Sequence, residues 1–350
     1  MTRTSRVAIA VACALVLLHT VAFPFQKKKK DKDFTQTLAA LPEPPAAVTV
    51  ETARLSYRVT PLSAKGLLSQ QTRDALKTLL ALSRGTSVVK IRAYVAGTGD
   101  LRRIQSIVSE EFSERRIALP VLSVVQVGGL PLEGAQVQLE ATLQERRVVN
   151  PRGVLFIAGQ ETAGAGLAKA LDAAGGQAED MLRVSCFADL LESAQALRTD
   201  IGRRFPKAQL SLVQAQRITG RPVTQCEGVA RLRSAAAPSP DAVPVTAPRL
   251  VLAGAQLAFR YQEEDARLAF QRLEKTLQAA GSSLRRAVKL NVYPLSPQLA
   301  DLVRKVQFDF LDRRHPPATT MLPFEGLPSM DASFGLEVVA LADGAGSSSQ

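Results

Sequence analysis

Hydrophobic and polar residues follow the same order three times along this chain. In each copy an amphipathic helix ends at a glycine, an apolar strand opens on a basic residue, a second helix follows, and two more strands close the unit. The glycines are Gly85, Gly175 and Gly281, and the basic residues are Lys90, Arg183 and Lys289. Repetition at this spacing predicts three similar structural units.

Alternating apolar positions predict strands, and apolar positions at helical spacing predict helices. In the first unit we predict strands over 48–52, 54–59, 88–95, 122–127 and 135–143, and helices over 69–83 and 101–112. In the second, strands are predicted over 153–160, 183–187, 209–214 and 223–232, and helices over 166–174 and 190–205. In the third, strands are predicted over 249–256, 289–293, 318–322 and 333–341, and helices over 263–280 and 298–311. The first two strands of the chain are expected to open the first unit as a pair.

This order of elements predicts an α+β fold in which each unit is a mixed sheet with two helices on one face. The other face of each sheet would then be exposed in an isolated unit. Three such faces in one chain can bury one another around a pseudo-threefold axis. We therefore expect an intrachain pseudo-trimer that is monomeric in solution.

Composition shifts divide the chain into seven segments. They are a signal peptide (1–22), a Lys/Pro-rich tether (23–47), the first unit (48–148), the second unit (149–233), a Pro/Ala-rich linker (234–248), the third unit (249–342) and a disordered Gly/Ser-rich tail (343–350). Three units of about 100 residues suit the usual size of a domain.

The N-terminus has the layout of a secretory signal. Arg3 and Arg6 precede an apolar run over 7–18, and small residues end at Ala22. This predicts an exported protein, periplasmic or secreted. The lysines at 27–30 leave an uncleaved membrane anchor as the alternative, because a basic cluster beyond the apolar run weakens the orientation signal.

Charge and aromatic content argue against a nucleic-acid partner. Lysine and arginine number 44 against 32 aspartates and glutamates, but the first 33 residues hold seven of the basic ones and two of the acidic ones. The remainder is therefore only mildly basic, and the chain has no tryptophan and four tyrosines. Nucleic-acid binding needs basic residues clustered on one face, with aromatic residues for stacking on single strands.

Histidine and cysteine use points away from metal and cofactor chemistry. Outside the signal the sole histidine is His315, which precedes two prolines and is expected to be an exposed turn residue. Cys186 and Cys226 fall in strands of one unit, so they form a disulfide if those strands are neighbours and otherwise are buried thiols. We predict no metal and no cofactor.

The repeated motifs resemble the RidA/YjgF family of enamine and imine deaminases. The similarity is best in the third unit, over 250–256, 277–290, 317–320 and 336–338, and weaker in the first, over 88–95, 119–127 and 137–140. The middle unit is the most divergent, and together the copies cover about residues 48–342. The resemblance implies a chorismate-mutase-like fold, with three units in one chain imitating the family's trimer.

The resemblance also implies candidate site residues in clefts between units. Family members use an arginine to bind the substrate carboxylate and a glutamate to place the attacking water. The glutamate matches Glu140, Glu227 and Glu337, and the arginine position holds Leu122, Leu210 and Thr319. A glycine of the binding turn matches Gly159 and Gly254. Arg92, Arg217, Arg221 and Arg231 lie on or near these strands but are expected to be solvated or salt-bridged.

Loss of the arginine from all three units predicts a change of function, because only a guanidinium binds a carboxylate through two parallel hydrogen bonds. The leading hypothesis is a small-metabolite-binding or structural pseudo-trimer without classical imine deaminase activity. The alternative is a hydrolytic deaminase that acts on an enamine or imine lacking a carboxylate, through the retained glutamates. An open polar cleft beside each glutamate favours the enzyme, whereas a cleft filled by Leu122 or Leu210 favours binding or structure.

Overall fold

The computed structural model describes residues 40–97, 99–217 and 223–343. The predicted signal peptide, most of the predicted tether and residues 344–350 of the predicted tail lie outside the described residues. The strands are β1 (Ala47–Glu51), β2 (Leu55–Val59), β3 (Ser87–Ala96), β4 (Val121–Val127), β5 (Val137–Gln144), β6 (Val154–Gln160), β7 (Met181–Ala188), β8 (Gln209–Gln214), β9 (Thr224–Arg231), β10 (Ala242–Val245), β11 (Arg249–Ala253), β12 (Gln256–Phe259), β13 (Ala287–Pro294), β14 (Ala318–Met321) and β15 (Ala332–Leu341). The helices are α1 (Leu68–Leu82), α2 (Leu101–Glu114), α3 (Ala163–Ala173), α4 (Ala194–Arg204), α5 (Glu263–Ala279) and α6 (Pro297–Val306).

The strands form three mixed sheets that share one arrangement. The orders are β2-β5-β3-β4, β10-β6-β9-β7-β8 and β1-β11-β15-β13-β14, with β12 also paired to β15. In each sheet one pair is parallel, namely β3 with β4, β7 with β8 and β13 with β14. The prediction of an α+β fold with mixed sheets is confirmed.

Two helices lie against one face of each sheet, and a separate apolar core fills the space between. These cores include Leu76, Ile104 and Leu139 in the first unit, Leu167, Ile201 and Cys186 in the second, and Phe270, Val303 and Leu336 in the third. Buried leucine, isoleucine and phenylalanine side chains contribute roughly 1.5–3 kcal/mol each. Each unit thus has a core of its own.

The glycines that mark the helix ends adopt the conformation that their position requires. Gly85, Gly175 and Gly281 have φ of 83°, 70° and 71°. This left-handed region is strained for residues with a Cβ atom, so a glycine just after the last helical turn lets the chain reverse.

Two short strands, β1 and β10, form pairings that the sequence analysis did not predict. The predicted opening pair is wrong, because β1 pairs with β11 of the third sheet while β2 pairs with β5 of the first. The predicted linker contains β10, which the sequence analysis did not predict and which pairs with β6 of the second sheet. The segment between the first two units makes a similar link to a sheet. The side-chain amide of Asn150 donates to the Leu55 carbonyl on β2 of the first sheet at 2.7 Å. Each connection therefore joins the edge of a neighbouring sheet.

The sheet faces not covered by helices turn towards one another. One inner apolar cluster includes Tyr57 from the first sheet, Phe156 from the second and Leu252 from the third. A second cluster includes Tyr94, Phe187 and Tyr293, one from each sheet. Phe324 contacts Phe187 and Tyr293 edge-on, with ring centres 5.6 and 5.3 Å apart. The three units thus share common cores on their inner faces.

Cys186 and Cys226 form a disulfide within the second sheet. They lie directly opposite each other on β7 and β9, with Cα atoms 4.1 Å apart. Of the two alternatives left by the sequence, the structure contains the disulfide.

Candidate functional site: a buried ionic cluster between the three sheets

Glu140, Glu227 and Glu337 converge on one side chain, Arg92. Its Nη1 lies 3.2 Å from a Glu140 oxygen and 3.1 Å from a Glu227 oxygen, and its Nη2 lies 2.5 Å from Glu337. All three carboxylates and the guanidinium are at most 4% exposed. The candidate catalytic residues therefore meet at one buried point between the sheets.

Three further cations complete what we call the ionic cluster: Lys90, Arg92, Arg183, Lys289, Glu140, Glu227 and Glu337. Lys90 Nζ lies 2.9 Å from Glu337, and Lys289 Nζ lies 2.7 Å from Glu227. Arg183 lies 3.6 Å from Glu140 and 3.4 Å from Glu227. Breaking a buried ion pair by removing one partner leaves an uncompensated charge, so these residues depend on one another.

The contacts made by Lys90, Lys289 and Ser185 run in one direction around the three units. The first unit's Lys90 binds Glu337 of the third, and the third unit's Lys289 binds Glu227 of the second. In the second unit, Ser185 donates to Glu140 of the first at 2.6 Å. Each unit thus contributes a polar strand residue to its neighbour's glutamate.

A repeated β-bulge places the basic residues in the cluster. The register of β3, β7 and β13 against the closing strand shifts just before Lys90, Arg183 and Lys289. A bulge puts an extra residue into one strand and re-aims the side chains beside it. As a result the preceding residue, such as Val288, packs in the inner apolar cluster while the basic residue next to it reaches the carboxylates.

Alternation along the strand places the other members. Arg92 lies opposite Glu140, Ser185 opposite Glu227 and Asn291 opposite Glu337 in the sheet register. Asn291 donates to Glu227 at 2.6 Å and accepts from Arg92 at 3.1 Å. The Tyr293 hydroxyl donates to Glu337 at 3.1 Å.

Burial and neighbouring charge shift the pKa values of this cluster. Burial alone would raise the pKa of Glu227, but Lys289, Arg92 and Arg183 together lower it well below its usual value. The pKa of Glu337 is likewise lowered, because Arg92 and Lys90 outweigh the effect of burial. Burial lowers the pKa of Lys90 to about 8 despite the nearby Glu337 carboxylate. The two glutamates are therefore ionised at neutral pH and unsuited to taking up a proton.

The positions matching the family's arginine lie away from the glutamates. Leu122 lines a cavity of about 210 Å³ between the first and third units, together with Gly254. A Cβ atom on Gly254 would lie 3.0 Å from the Leu122 carbonyl oxygen, so the two backbones approach closely there. No charged side chain of the described residues lines this cavity. Leu122 and Gly254 therefore lie together in this cavity, and Glu337 is not among the residues that line it.

The side chains at the other two matching positions have local partners. Leu210 packs against the helix-side core of the second unit. The Thr319 hydroxyl donates to the Pro317 carbonyl at 3.0 Å. Gly159 lies against Gln225, whose side chain donates to the Gly159 carbonyl at 3.2 Å. The predicted site residues thus fall into separate places. The three glutamates meet at Arg92, Leu122 and Gly254 share one cavity, and the remaining positions make local contacts.

A larger cavity lies between the second and third units. It has a volume of about 690 Å³, and β10 forms part of its wall. Its apolar lining includes Val243, Val288 and Leu341, and its basic lining includes Arg285, Arg313 and Arg314. Volumes of 300–1,000 Å³ with a few polar groups are typical of small-molecule sites. We call this the interunit cleft.

The remaining candidate cations and the histidine have simple roles. Arg217 is exposed, and Arg231 donates to Asn150 at 3.4 Å. Arg221 lies outside the described residues. His315 is exposed, as expected, and its Nδ1 lies 2.9 Å from Asp312 Oδ2.

Sequence reasoning missed that the basic residues and the glutamates form one cluster. The signal that could have shown it is the basic residue that opens the same strand in all three units. Within the described ranges, no three His, Cys, Asp or Glu side chains are placed to hold a metal ion. None of the described helices has the length and apolar character needed to cross a bilayer.

No protein-family model matches the chain, and no curated protein matches it. Solved structures similar to part of it include a Mycobacterium tuberculosis member of the YjgF/YER057c/UK114 family, with 21% identity over 27% of this chain and 79% of that one, at a TM-score of 0.25. RidA from an Antarctic Psychrobacter species matches with 22% identity over 26% of this chain and 80% of that one, at a TM-score of 0.25. Yeast Mmf1 matches with 24% identity over 31% of this chain and 90% of that one, at a TM-score of 0.24.

Proposed function

We propose that this chain is an exported RidA-like protein whose three tandem units form an intrachain pseudo-trimer that binds a small metabolite and lacks classical imine deaminase activity. The repeated motifs, the shared strand order and the one-directional pairing of the ionic cluster support the pseudo-trimer. The N-terminal residues 1–22 and the Cys186–Cys226 disulfide support export, since disulfides persist in oxidising compartments.

The observation that carries this proposal is the contact of all three glutamates with Arg92. A glutamate that positions water for attack needs an open face towards the substrate. Here each carboxylate is at most 3% exposed and is held by cations. Hydroxyl groups also donate to Glu140 and Glu337, and the Asn291 amide donates to Glu227. The glutamates therefore stabilise the assembly instead of serving three separate reaction sites.

The cavity beside Leu122 adds a second argument. It is smaller than most ligand sites, and none of the described residues that line it carries a charge. An imino acid placed there would leave its carboxylate without a guanidinium partner, which is costly in a partly buried cleft. Substrates of that kind are not expected to bind.

Incubation of the purified chain with freshly generated 2-aminoacrylate tests the absence of deaminase activity. We expect ammonia to form no faster than in a sample without protein, because the cavity lacks a carboxylate anchor and the glutamates are engaged. An active RidA protein serves as the positive control. Ammonia release above the background that disappears in Leu122→Trp, which fills the cavity, would instead support the alternative of a deaminase.

The interunit cleft is the best candidate for the metabolite site. Within the described residues, Arg285 and Arg314 form no ion pair, and the Arg313 guanidinium lies 5.3 Å from the Phe308 ring centre. Unpaired guanidinium groups above an apolar surface suit an organic anion with an apolar body. We propose an amphipathic organic acid as the ligand class.

A fluorescent anion, anilinonaphthalene sulfonate, tests this cleft. We expect saturable binding to the folded chain, weakened about tenfold or more in the double variant Arg285→Ala/Arg314→Ala because two charge-assisted contacts are lost. Arg102→Ala is the matched control, since Arg102 is an exposed arginine elsewhere on the surface. Equal affinity of the double variant and the control would rule out the cleft as the anion site.

A further inference from the structure

The ionic cluster holds more buried cations than anions. Its four cations are Lys90, Arg92, Arg183 and Lys289, and its three anions are Glu140, Glu227 and Glu337. With every group ionised, the cluster carries one net positive charge. A buried charge without a counter-charge is strongly destabilising, so the excess needs a partner.

Arg183 is the cation with the weakest protein partners. Its ion-pair distances of 3.4 and 3.6 Å exceed the 2.5 to 3.2 Å of the pairs made by Arg92, Lys90 and Lys289. Its Nε is buried and has no hydrogen-bond partner among the described residues. The residue is only 8% exposed, so bulk water does not satisfy this donor.

The two lysines also retain donor capacity. Lys90 Nζ donates to the Ala253 carbonyl at 2.8 Å and to Glu337. Lys289 Nζ donates to Thr320 at 2.7 Å and to Glu227. An ammonium group has three N–H donors, so each lysine keeps one beyond these two contacts.

A small cavity lies where these donors meet. It has a volume of about 30 Å³ and is lined by all four cations and by the Asn291 amide. This volume suits one or two water-sized particles. Glu140 and Glu337 also line the cavity, but both carboxylates already have partners. Glu140 contacts Ser185 and Arg92, and Glu337 contacts Lys90, Arg92 and Tyr293.

We propose that this cavity binds one small monovalent inorganic anion, of the size of chloride, as the missing counter-charge of the ionic cluster. Arg183 Nε and the free ammonium donors of Lys90 and Lys289 supply its hydrogen bonds. A water molecule fits the volume but leaves the excess charge uncompensated.

The cluster can also become neutral by loss of a proton from a lysine. Burial lowers the pKa of Lys90 to about 8, so near pH 6.5 the ammonium form still predominates. The pKa of Lys289 is also lowered, first by burial and further by the positive charges of Arg92 and Arg183, despite the nearby Glu227 carboxylate; this excess of positive charge disfavours its ammonium form. An anion relieves that excess at neutral pH without loss of a proton.

Unfolding of the full chain at pH 6.5 tests the proposal, with chloride exchanged for gluconate at constant ionic strength. Gluconate is too large for the cavity. Above the dissociation constant, each tenfold rise in chloride is expected to lower the unfolding equilibrium constant about tenfold, and bromide is expected to replace chloride. Crystals grown in bromide are expected to show an anomalous peak in the cavity. Equal stability in both salts, or bromide on the surface only with water in the cavity, would overturn the proposal.

Variants that remove one cation supply the matched comparison. Lys90→Met leaves three cations and three carboxylates, so its stability is expected to lose the chloride dependence. Lys289→Met gives the same charge balance and serves if Lys90→Met does not fold. Lys77→Met, which changes an exposed lysine on α1, is expected to keep the chloride dependence. Full chloride dependence in a folded cluster variant would contradict the assignment, and the bromide peak in the unaltered chain is an independent check.

Discussion

Replacing Arg92 with methionine is expected to lower the free energy of unfolding by about 3–5 kcal/mol, the usual cost of breaking a buried ion pair. Arg92 contacts the carboxylates of all three units, each within 3.2 Å. Without it, three carboxyl groups that are at most 3% exposed lose their common partner. Urea unfolding at pH 7, followed by far-ultraviolet circular dichroism, measures the change.

The control for this prediction is Arg102→Met, since the Arg102 side chain is 79% exposed. Exposed ion pairs contribute at most about 1 kcal/mol, so this variant is expected to unfold like the parent chain. The loss in the double variant Arg92→Met/Glu337→Gln is expected to be smaller than the sum of the two single losses, because each single variant already breaks the Arg92–Glu337 pair. If Arg92→Met costs no more than Arg102→Met, Arg92 does not hold the three units together.

The second large effect is expected in acid. The folded-state pKa values of Glu227 and Glu337 lie below the ordinary value of 4.5. Groups whose pKa is lowered on folding contribute stability that is fully present above the unfolded pKa and is lost as the pH falls through the folded pKa. Stability is therefore expected to be steady near neutral pH and to fall steeply below about pH 4.5. Each tenfold difference in proton affinity between the folded and unfolded chain corresponds to ~1.4 kcal/mol.

Urea midpoints measured from pH 7 to pH 3 test this expectation. Glu337→Gln is expected to show a shallower fall than the parent chain, because one carboxyl group with a lowered pKa no longer titrates. Glu264→Gln, at an exposed position in the first turn of α5, is expected to keep the parent slope. A Glu337→Gln slope equal to the parent's would show that cluster protonation does not drive acid unfolding.

Local patterns predicted most of the regular structure. Helix α1 was predicted over 69–83 and spans Leu68–Leu82, and β8 spans the predicted range 209–214. These elements carry their own periodicity and end signals, such as Gly85 after α1. Prediction from such signals needs no knowledge of distant partners.

Partner choice was harder to predict, and β1 shows why. Its alternation is that of an edge strand, but its partner β11 lies about 200 residues further along the chain. Alternation of apolar and polar residues identifies a strand and its buried face, but it does not show which sheet the strand joins. The same holds for β10. Its short length and Pro244 suit an edge strand, but the same features are typical of a linker sequence.

The candidate site was predicted in part. Glu140, Glu227 and Glu337 were identified through the family resemblance of the repeated motifs. Arg92 was expected to be solvated or salt-bridged, and in the structure it is salt-bridged. Their convergence was not predicted, because it depends on the β-bulges before Lys90, Arg183 and Lys289 and on contacts between units. A one-residue bulge changes which side chains face inward and leaves little trace in the sequence pattern.

The mass of the purified chain in solution tests the closed three-unit assembly most directly. Size-exclusion chromatography with light scattering is expected to give the mass of one chain, at most 37.5 kDa, at all concentrations studied. One chain suffices because its three inner sheet faces already bury one another around the ionic cluster. A stable particle with the mass of three chains would contradict this account, because it would mean that each chain still needs partners to complete its assembly.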